Sequence, residues 1–380
     1  MKTNIFKHIV PIFAAGLLVA GCTQDFEDTN TNPNKITVAS GKLSASALFE
    51  PVLYGGTNLI TYYNYFWCNE LIQHTAATGW TTSNTHRYNI GDSNWASIWK
   101  GIARYASDVH EMYRLAELKN DKAMMAVAKT LYVFYMQNLT DTFGDIPCSE
   151  AFQSDQGNMK PVFDSQEEVY QQLCAELDSA NDIYASKPYV SDKYPSLDAM
   201  YSFNMEKWRK FNNALYLRVL GRLTNRLGTV VDVRNNITVA QKMQQIVNDP
   251  DKYPIFESNA DNATVHYSAV SPYYSEFQPT EFTDDDFQQH RLTEQMIKMM
   301  TLKDGTADTV VDPRLKVFGV YRKGYTYWKG TVAGGLLENQ NEEDRGASPL
   351  NTQTLRRDNA DEFLMGYDEQ QFILAEAALQ

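Results

Sequence analysis

Three segments combine aromatic rings with amide and charged side chains away from any clear helical pattern. They are Gly79-Trp80-Thr81-Thr82-Ser83-Asn84-Thr85-His86-Arg87-Tyr88, Ser271-Pro272-Tyr273-Tyr274-Ser275-Glu276-Phe277-Gln278 and Tyr321-Arg322-Lys323-Gly324-Tyr325-Thr326-Tyr327-Trp328-Lys329-Gly330. A ring can stack on the weakly apolar C–H face of a sugar while Asn, Gln, Asp or Arg hydrogen-bonds the hydroxyl rim. Trp80, Tyr273, Tyr274 and Trp328 are the leading candidates for such stacking; the competing role for each is to pack its loop onto the core. Arg218, Arg222 and Arg226 stand four apart, so one helix face could receive a carboxylate or pair with acids of a neighbouring helix. Asp284-Asp285-Asp286 lacks the alternating oxygen spacing of a calcium loop and reads as a solvated charge run.

Catalytic signatures are absent. The sequence has no Gly-x-Ser-x-Gly, His-Glu-x-x-His, phosphate loop or dinucleotide fingerprint. Glu70, Asp92, Asp145 and Glu150 could be nominated as a glycosidase pair, but no spacing singles out two of them. No cofactor and no metal site is expected. A net charge of −13 over 380 residues argues against nucleic-acid binding, which needs cations on phosphates.

A fourth chemistry lies near the start. Lys2 and Lys7 precede an apolar run, residues 9–20, too short to cross a bilayer and suited to the core of an export signal. Leu18-Val19-Ala20-Gly21-Cys22 resembles a bacterial lipobox, which makes Cys22 the lipidation site and residues 1–21 the signal peptide. Several acyl chains on one cysteine anchor a protein stably in a membrane. Residues 22–38 form a polar, acidic, Asn-rich tether resembling the surface-export signal of Bacteroidota lipoproteins, which implies an outer-membrane anchor facing the cell exterior. A periplasm-facing anchor is the alternative. Cys68, Cys148 and Cys174 are expected as buried, inert thiols.

The elements that must position these loops are mainly α-helical. Helical spacing marks residues 44–74 (interrupted near Gly55-Gly56), 94–119, 121–139, 165–185, 205–227, 291–302 and 365–379. Ser165 and Glu168 form a capping box. Gly144 and Pro147 end the 121–139 helix, whose apolar residues run almost all round and so predict a central position. The short break between 94–119 and 121–139 predicts an antiparallel hairpin of tetratricopeptide-like geometry. Long irregular loops occupy 187–204, 250–290 and 303–364, with short strands expected at 264–267 and 325–329.

The order of motifs resembles the SusD/RagB family. The resemblance runs from the lipobox and Asp25-Phe26-Glu27-Asp28-Thr29-Asn30-Thr31-Asn32-Pro33-Asn34 through Trp95 and Trp99 to Phe143-Gly144-Asp145-Ile146-Pro147. It continues with Lys207-Trp208-Arg209-Lys210-Phe211-Asn212-Asn213-Ala214-Leu215-Tyr216-Leu217-Arg218, Tyr253-Pro254-Ile255-Phe256, Asp261-Asn262-Ala263, Asp312-Pro313-Arg314-Leu315 and Leu374-Ala375-Glu376-Ala377. It implies a surface lipoprotein that captures an oligosaccharide or peptide ligand. Its partner would be a SusC-like TonB-dependent transporter, which the protein caps without catalysis. A helical glycoside hydrolase and a periplasmic solute-binding protein are the rivals. Residues 39–380 read as a single domain whose last helix stops uncapped at Gln380, as if cut short.

Overall fold

The computed structural model describes residues 43–78, 85–279, 283, 287–302, 311–335 and 346–379. The central hairpin forms as expected. Helix α4 spans Asp92–Leu118 and α5 spans Lys122–Phe143. Between them Asp121 caps α5, its carboxylate accepting the Met124 amide at 3.1 Å. Trp95 and Trp99 at the start of α4 meet Phe143 at the end of α5, edge-on at 6.3 and 5.1 Å, so the pair is antiparallel. Gly144 follows at φ +76°, a conformation that favours glycine. Most of α5 is buried, including Met124, Val127, Leu131, Val133, Phe134 and Met136.

Helix α6, Gln166–Ala185, packs on α5 and carries both halves of the Ser165–Glu168 capping box. Helix α7, Met205–Gly221, packs on α6 in turn. Two adjacent asparagines without solvent exposure clip the three together. Asn212 accepts from Thr130 of α5 at 2.9 Å and donates to the Leu177 carbonyl of α6 at 3.0 Å. Asn213 donates to Asn181 of α6 at 3.1 Å and to the Pro254 carbonyl at 2.9 Å. Leaving one such buried group unpaired costs about 1–3 kcal/mol, so the network fixes helix register as well as proximity. The 187–204 loop is tied in the same way. Buried Asp198 accepts from the Met200, Tyr201 and Phe203 amides and from the indole N–H of Trp208, at 2.8–3.1 Å.

Several elements differ from expectation. The first helical run does not break at Gly55-Gly56: α1, Ala45–Glu50, continues through a wider π turn, Pro51–Gly55, into α2, Gly56–Tyr63. A second π turn, Asn64–Cys68, leads to α3, Asn69–Leu71. The glycines serve close packing: a Cβ on Gly56 would lie 1.8 Å from the Tyr135 hydroxyl, and one on Gly55 2.5 Å from that of Tyr105. Helix α7 stops at Gly221, because Thr224–Arg226 tightens into a 3₁₀ turn. That turn leads into β2, Val230–Asp232, paired antiparallel with β3, Ile237–Thr238. Helix α8, Val239–Asn248, was not expected, although Thr238 and Gln241 form its capping box.

The strand expected at 264–267 forms as β4, Ala263–Val265, and pairs with a later strand. The first two residues of the expected 291–302 helix belong instead to β5, His290–Leu292, and the helix proper is α9, Glu294–Met300. Residues 325–329 bend rather than form a strand, because Gly324 at φ +89° turns the chain and the Tyr325 amide bonds back to Arg322. After α10, Leu315–Phe318, and α11, Thr352–Leu355, β6, Glu362–Met365, takes up β4 antiparallel. Helix α12, Tyr367–Leu379, then docks on α7. Buried Gln370 of α12 holds both backbone groups of Phe256 at 2.9 Å.

The close approach at Gly56 predicts a specific coupling. Tyr135 is buried and its hydroxyl donates to the Val52 carbonyl at 2.8 Å, so the ring has no room to retreat. Gly56→Ala should cost about 1–3 kcal/mol of stability by urea unfolding. Paired with Tyr135→Phe, the combined loss should be smaller than the two single losses together. Additive losses would show that this contact is not what requires glycine.

Candidate ligand-binding face

Two of the three ring-bearing loops share one foundation. Phe277 from the first and Trp328 from the second are buried in an apolar cluster with Tyr65, Phe287, Leu292 and Leu350. Around that cluster, short backbone pairings stitch remote segments together. Strand β1, Thr75–Ala77, pairs antiparallel with β5, setting Ala77 opposite His290 and Thr75 opposite Leu292. The Thr331 amide donates to the Leu292 carbonyl at 2.9 Å, and the Glu294 amide to the Thr331 carbonyl at 3.0 Å. Ser348 bonds back to Lys329, and Val320 to Pro349. Gly330 permits this crossing, since a Cβ there would lie 2.1 Å from the Glu294 backbone nitrogen.

One buried carboxylate joins the same segments. Glu70 of α3 is fully buried; it accepts the His86 amide at 3.1 Å and lies 2.9 Å from Nδ1 of buried His290 on β5. Nδ1 of His86 accepts the Gly334 amide at 3.1 Å, and Nε of Arg87 donates to the Gly335 carbonyl at 2.7 Å. Burial pushes the His86 imidazole below its ordinary value, and the adjacent Arg87 charge acts in the same direction. The neutral ring is the form whose Nδ1 can accept a hydrogen bond.

The outer surface of the second loop presents Tyr321, Tyr325 and Tyr327, 41, 37 and 42% exposed. Tyr321 lies 4.8 Å from the Trp328 ring, and Tyr325 meets Tyr327 edge-on at 5.3 Å. The Arg322 guanidinium sits 5.8 Å from the Tyr325 ring centre. These half-open rings beside a cation can cover an apolar face and bond its polar rim. Trp328, a leading stacking candidate in the sequence, is only 4% exposed: as the largest apolar ring in a segment of Tyr, Lys and Arg, it is the one that sinks and anchors the loop. The exposed neighbours carry the open surface, and the sequence signal for them was their alternation with polar residues.

Tyr273 and Tyr274 are half-buried. The Tyr273 hydroxyl donates to Glu50 at 3.0 Å and its ring lies 4.6 Å from Tyr54; the Tyr274 carbonyl accepts from Asn58 at 3.3 Å. Trp80, Cys22 and Asp284–Asp286 lie outside the described residues.

The acids nominated for catalysis have structural tasks or stand apart. Glu70 is enclosed, Asp145 accepts the Gln166 amide at 2.9 Å, and Glu150 accepts from Asn158 and the Val162 amide; Asp92 opens α4. Arg218 grips Glu369 of α12 through two bonds of 2.6 and 2.7 Å, and Arg222 meets Asp141 at 3.2 Å, so these two arginines pair with neighbouring helices, while Arg226 falls in the 3₁₀ turn beyond α7. Cys148 and Cys174 are buried, their thiols pushed up to about 11 and about 12 by burial, whereas Cys68 is exposed on the outer side of its π turn. Among the described residues no group of His, Cys, Asp and Glu could hold a metal ion, and no helix is long and apolar enough to cross a membrane.

Residues 33–380 match the SusD-like family described as "Starch-binding associating with outer membrane". The chain belongs to the SusD-like family. Among solved structures, a SusD homologue from Bacteroides fragilis superposes with a TM-score of 0.69 at 23% identity, covering 89% of this chain and 68% of that one. A SusD homologue from Parabacteroides distasonis gives 0.71 at 18% identity, covering 87% and 67%. A protein described as chitin-binding gives 0.68 at 21% identity, covering 88% and 70%. No curated protein sequence matches the chain. The SusD-like fold is therefore the helical body described above, with the ring-bearing loops mounted on it.

The His86 contact carries a pH dependence. An unfolded imidazole titrates near about 6.5. The folded value lies lower, so the contribution of neutral His86 is complete above that pH and is lost as pH falls through the folded value. The thermal midpoint should drop between pH 7.5 and 5, and drop less in His86→Asn, whose side-chain oxygen can still accept from Gly334. Identical pH dependence in the two proteins would contradict this role.

Proposed function

We propose that this protein is a surface-exposed nutrient-binding lipoprotein. It captures an extracellular glycan on its loop face and delivers it to a partner TonB-dependent transporter of the SusC type, without catalysis. The observation that carries this reading is the 319–331 loop. Three half-open tyrosines and Arg322 stand on a loop held rigid by Trp328 and by its pairing to β5. Rigid rings lose little entropy on binding, so stacking energy is retained rather than spent on ordering the loop.

Family membership supports an outer-membrane setting and a starch-like ligand; one structural relative is described as chitin-binding. Cys22 is the proposed lipid anchor, and residues 22–38 the tether that holds the body outside the outer membrane. Trp80, Tyr273 and Tyr274 are proposed to extend the contact surface with Tyr321, Tyr325 and Tyr327. Trp328 acts beneath them as the anchor. Non-catalytic binding is the reading adopted because the nominated acids Glu70, Asp145 and Glu150 already accept hydrogen bonds from protein groups.

Calorimetric titration of the purified lipoprotein with maltoheptaose and chitohexaose tests the ligand class. At least one should bind. Tyr325→Ala and Tyr327→Ala should each weaken it about 2–10-fold, the range of a single aromatic contact, with little change in thermal midpoint. Hydrolysis of the sugar, or binding that ignores both substitutions, would overturn the reading. A peptide array showing binding where both sugars fail would replace the glycan with a peptide. Recovery of the tagged lipoprotein from native membranes without any TonB-dependent transporter would contradict the delivery step.

A further inference from the structure

The loop that carries the exposed tyrosines has a charge opposite to that of the chain. Over 380 residues the net charge is −13, yet residues 313–335 hold five cations, Arg314, Lys316, Arg322, Lys323 and Lys329, and no acid. These cations do not serve solubility, because each one moves the net charge toward zero. The acids nearest in the chain pairing are already engaged. Asp312 holds Arg314 at 2.6 Å, and Glu294, whose amide bonds to Thr331 of this segment, holds Lys298 at 3.0 Å. Among the described residues no carboxylate pairs with Lys316, Arg322 or Lys323.

Two of these cations are fixed beside the rings. Gly324 at φ +89° closes a tight turn in which the Arg322 carbonyl accepts the Tyr325 amide at 2.9 Å. The turn sets the Arg322 guanidinium 5.8 Å from the Tyr325 ring centre and leaves Lys323 exposed at its tip. Both ends of the loop are tied down: the Val320 amide donates to the Pro349 carbonyl at 3.0 Å, and the Lys329 carbonyl accepts the Ser348 amide at 2.7 Å. A guanidinium offers a planar fork of N–H donors that fits a carboxylate or a sulfate through two parallel bonds, and an ammonium adds a point charge. A sugar acid carries its carboxylate on a ring carbon, and a sulfated sugar carries its ester one oxygen away. Either group lies at the rim of the same sugar ring whose face stacks on an aromatic side chain.

We propose, resting on the ring-face reading above, that the preferred ligand is an acidic oligosaccharide. Its sugar faces lie on Tyr321, Tyr325 and Tyr327, and Arg322 and Lys323 receive its carboxylates or sulfate esters. Neutral glycans use the rings alone and bind less tightly. The negative charge over the rest of the chain repels such a ligand elsewhere and directs it to this loop.

Calorimetric titration of the purified protein with two matched pairs tests this. One pair is hexagalacturonate and its fully methyl-esterified form; the other is a κ-carrageenan hexasaccharide and its desulfated form. At least one acidic sugar should bind about 3–10-fold more tightly than its neutral counterpart, and the pair that shows the advantage identifies the anionic group. The advantage should shrink as sodium chloride is raised from about 0.05 to 0.5 M. Arg322→Gln and Lys323→Gln should each cut the acid-to-neutral affinity ratio about twofold or more. Lys160→Gln, the same loss of charge at an exposed position on the α5–α6 connection, should leave the ratio unchanged. Tyr325→Ala should weaken both members of the pair alike. Equal affinity within both pairs, a ratio insensitive to salt, or an equal effect of Lys160→Gln would overturn the acidic assignment and leave the ring face standing. Equal binding of hexaglutamate, which has the charge without the sugar faces, would also overturn it. Failure of every sugar to bind, or binding that Tyr325→Ala leaves unchanged, would contradict the ring-face reading itself and this proposal with it.

Discussion

A carboxylate removed from water must find donors, and Glu70 finds one in a backbone amide beside a buried imidazole. It takes the His86 amide with one oxygen and faces the His290 imidazole with the other, while His86 reaches Gly334. One buried group therefore holds the end of the first helical run, the turn before Tyr88, strand β5 and the loop that follows the exposed tyrosines. Leaving such a buried polar group without its partner costs about 1–3 kcal/mol. The face carrying Tyr321, Tyr325 and Tyr327 depends on this junction. Its segments are remote in sequence, and none has enough regular pairing to stand alone.

The helical body solves the same physical problem differently. Its hairpins follow from local periodicity and caps, but their stacking order is set by polar groups inside the core. Asn212 and Asn213 reach α5, α6 and the Pro254 carbonyl, and Asp198 gathers three amides and an indole. A slip of one residue along α7 would strand these groups, so they specify alignment where apolar side chains alone would tolerate several. The result is a stiff platform. One side carries the ring-bearing loops through the cluster around Trp328.

What could be read in advance divides along the same line. The hairpin of α4 and α5, the capping box of α6 and the pairing of Arg218 and Arg222 were legible because each depends on residues a few positions apart or on charge alone. The Gly55-Gly56 pair misled because glycine carries two meanings: a break in the helix, or a place where a ring comes close. Only the position of Tyr135, nearly eighty residues on, decides between them. Residues 291 and 292 read as helix because they run without Gly or Pro into the helical pattern that follows, and pairing with β1 settles them as strand. The three ring-rich segments were recognisable by composition, yet which ring would sink was not. Trp328 is buried because Leu292, Leu315 and Leu350 converge from far along the chain to enclose it.

The central claim is that ligand is held on the loop face and not along the helices. Hydrogen–deuterium exchange of the intact protein, with and without saturating maltoheptaose or chitohexaose, tests it most directly. Slowed exchange confined to residues 319–331, 271–278 and 85–90, with α4 to α7 unchanged, is the predicted result. Protection centred on residues 166–186, or none anywhere while the sugar is bound, would contradict the account.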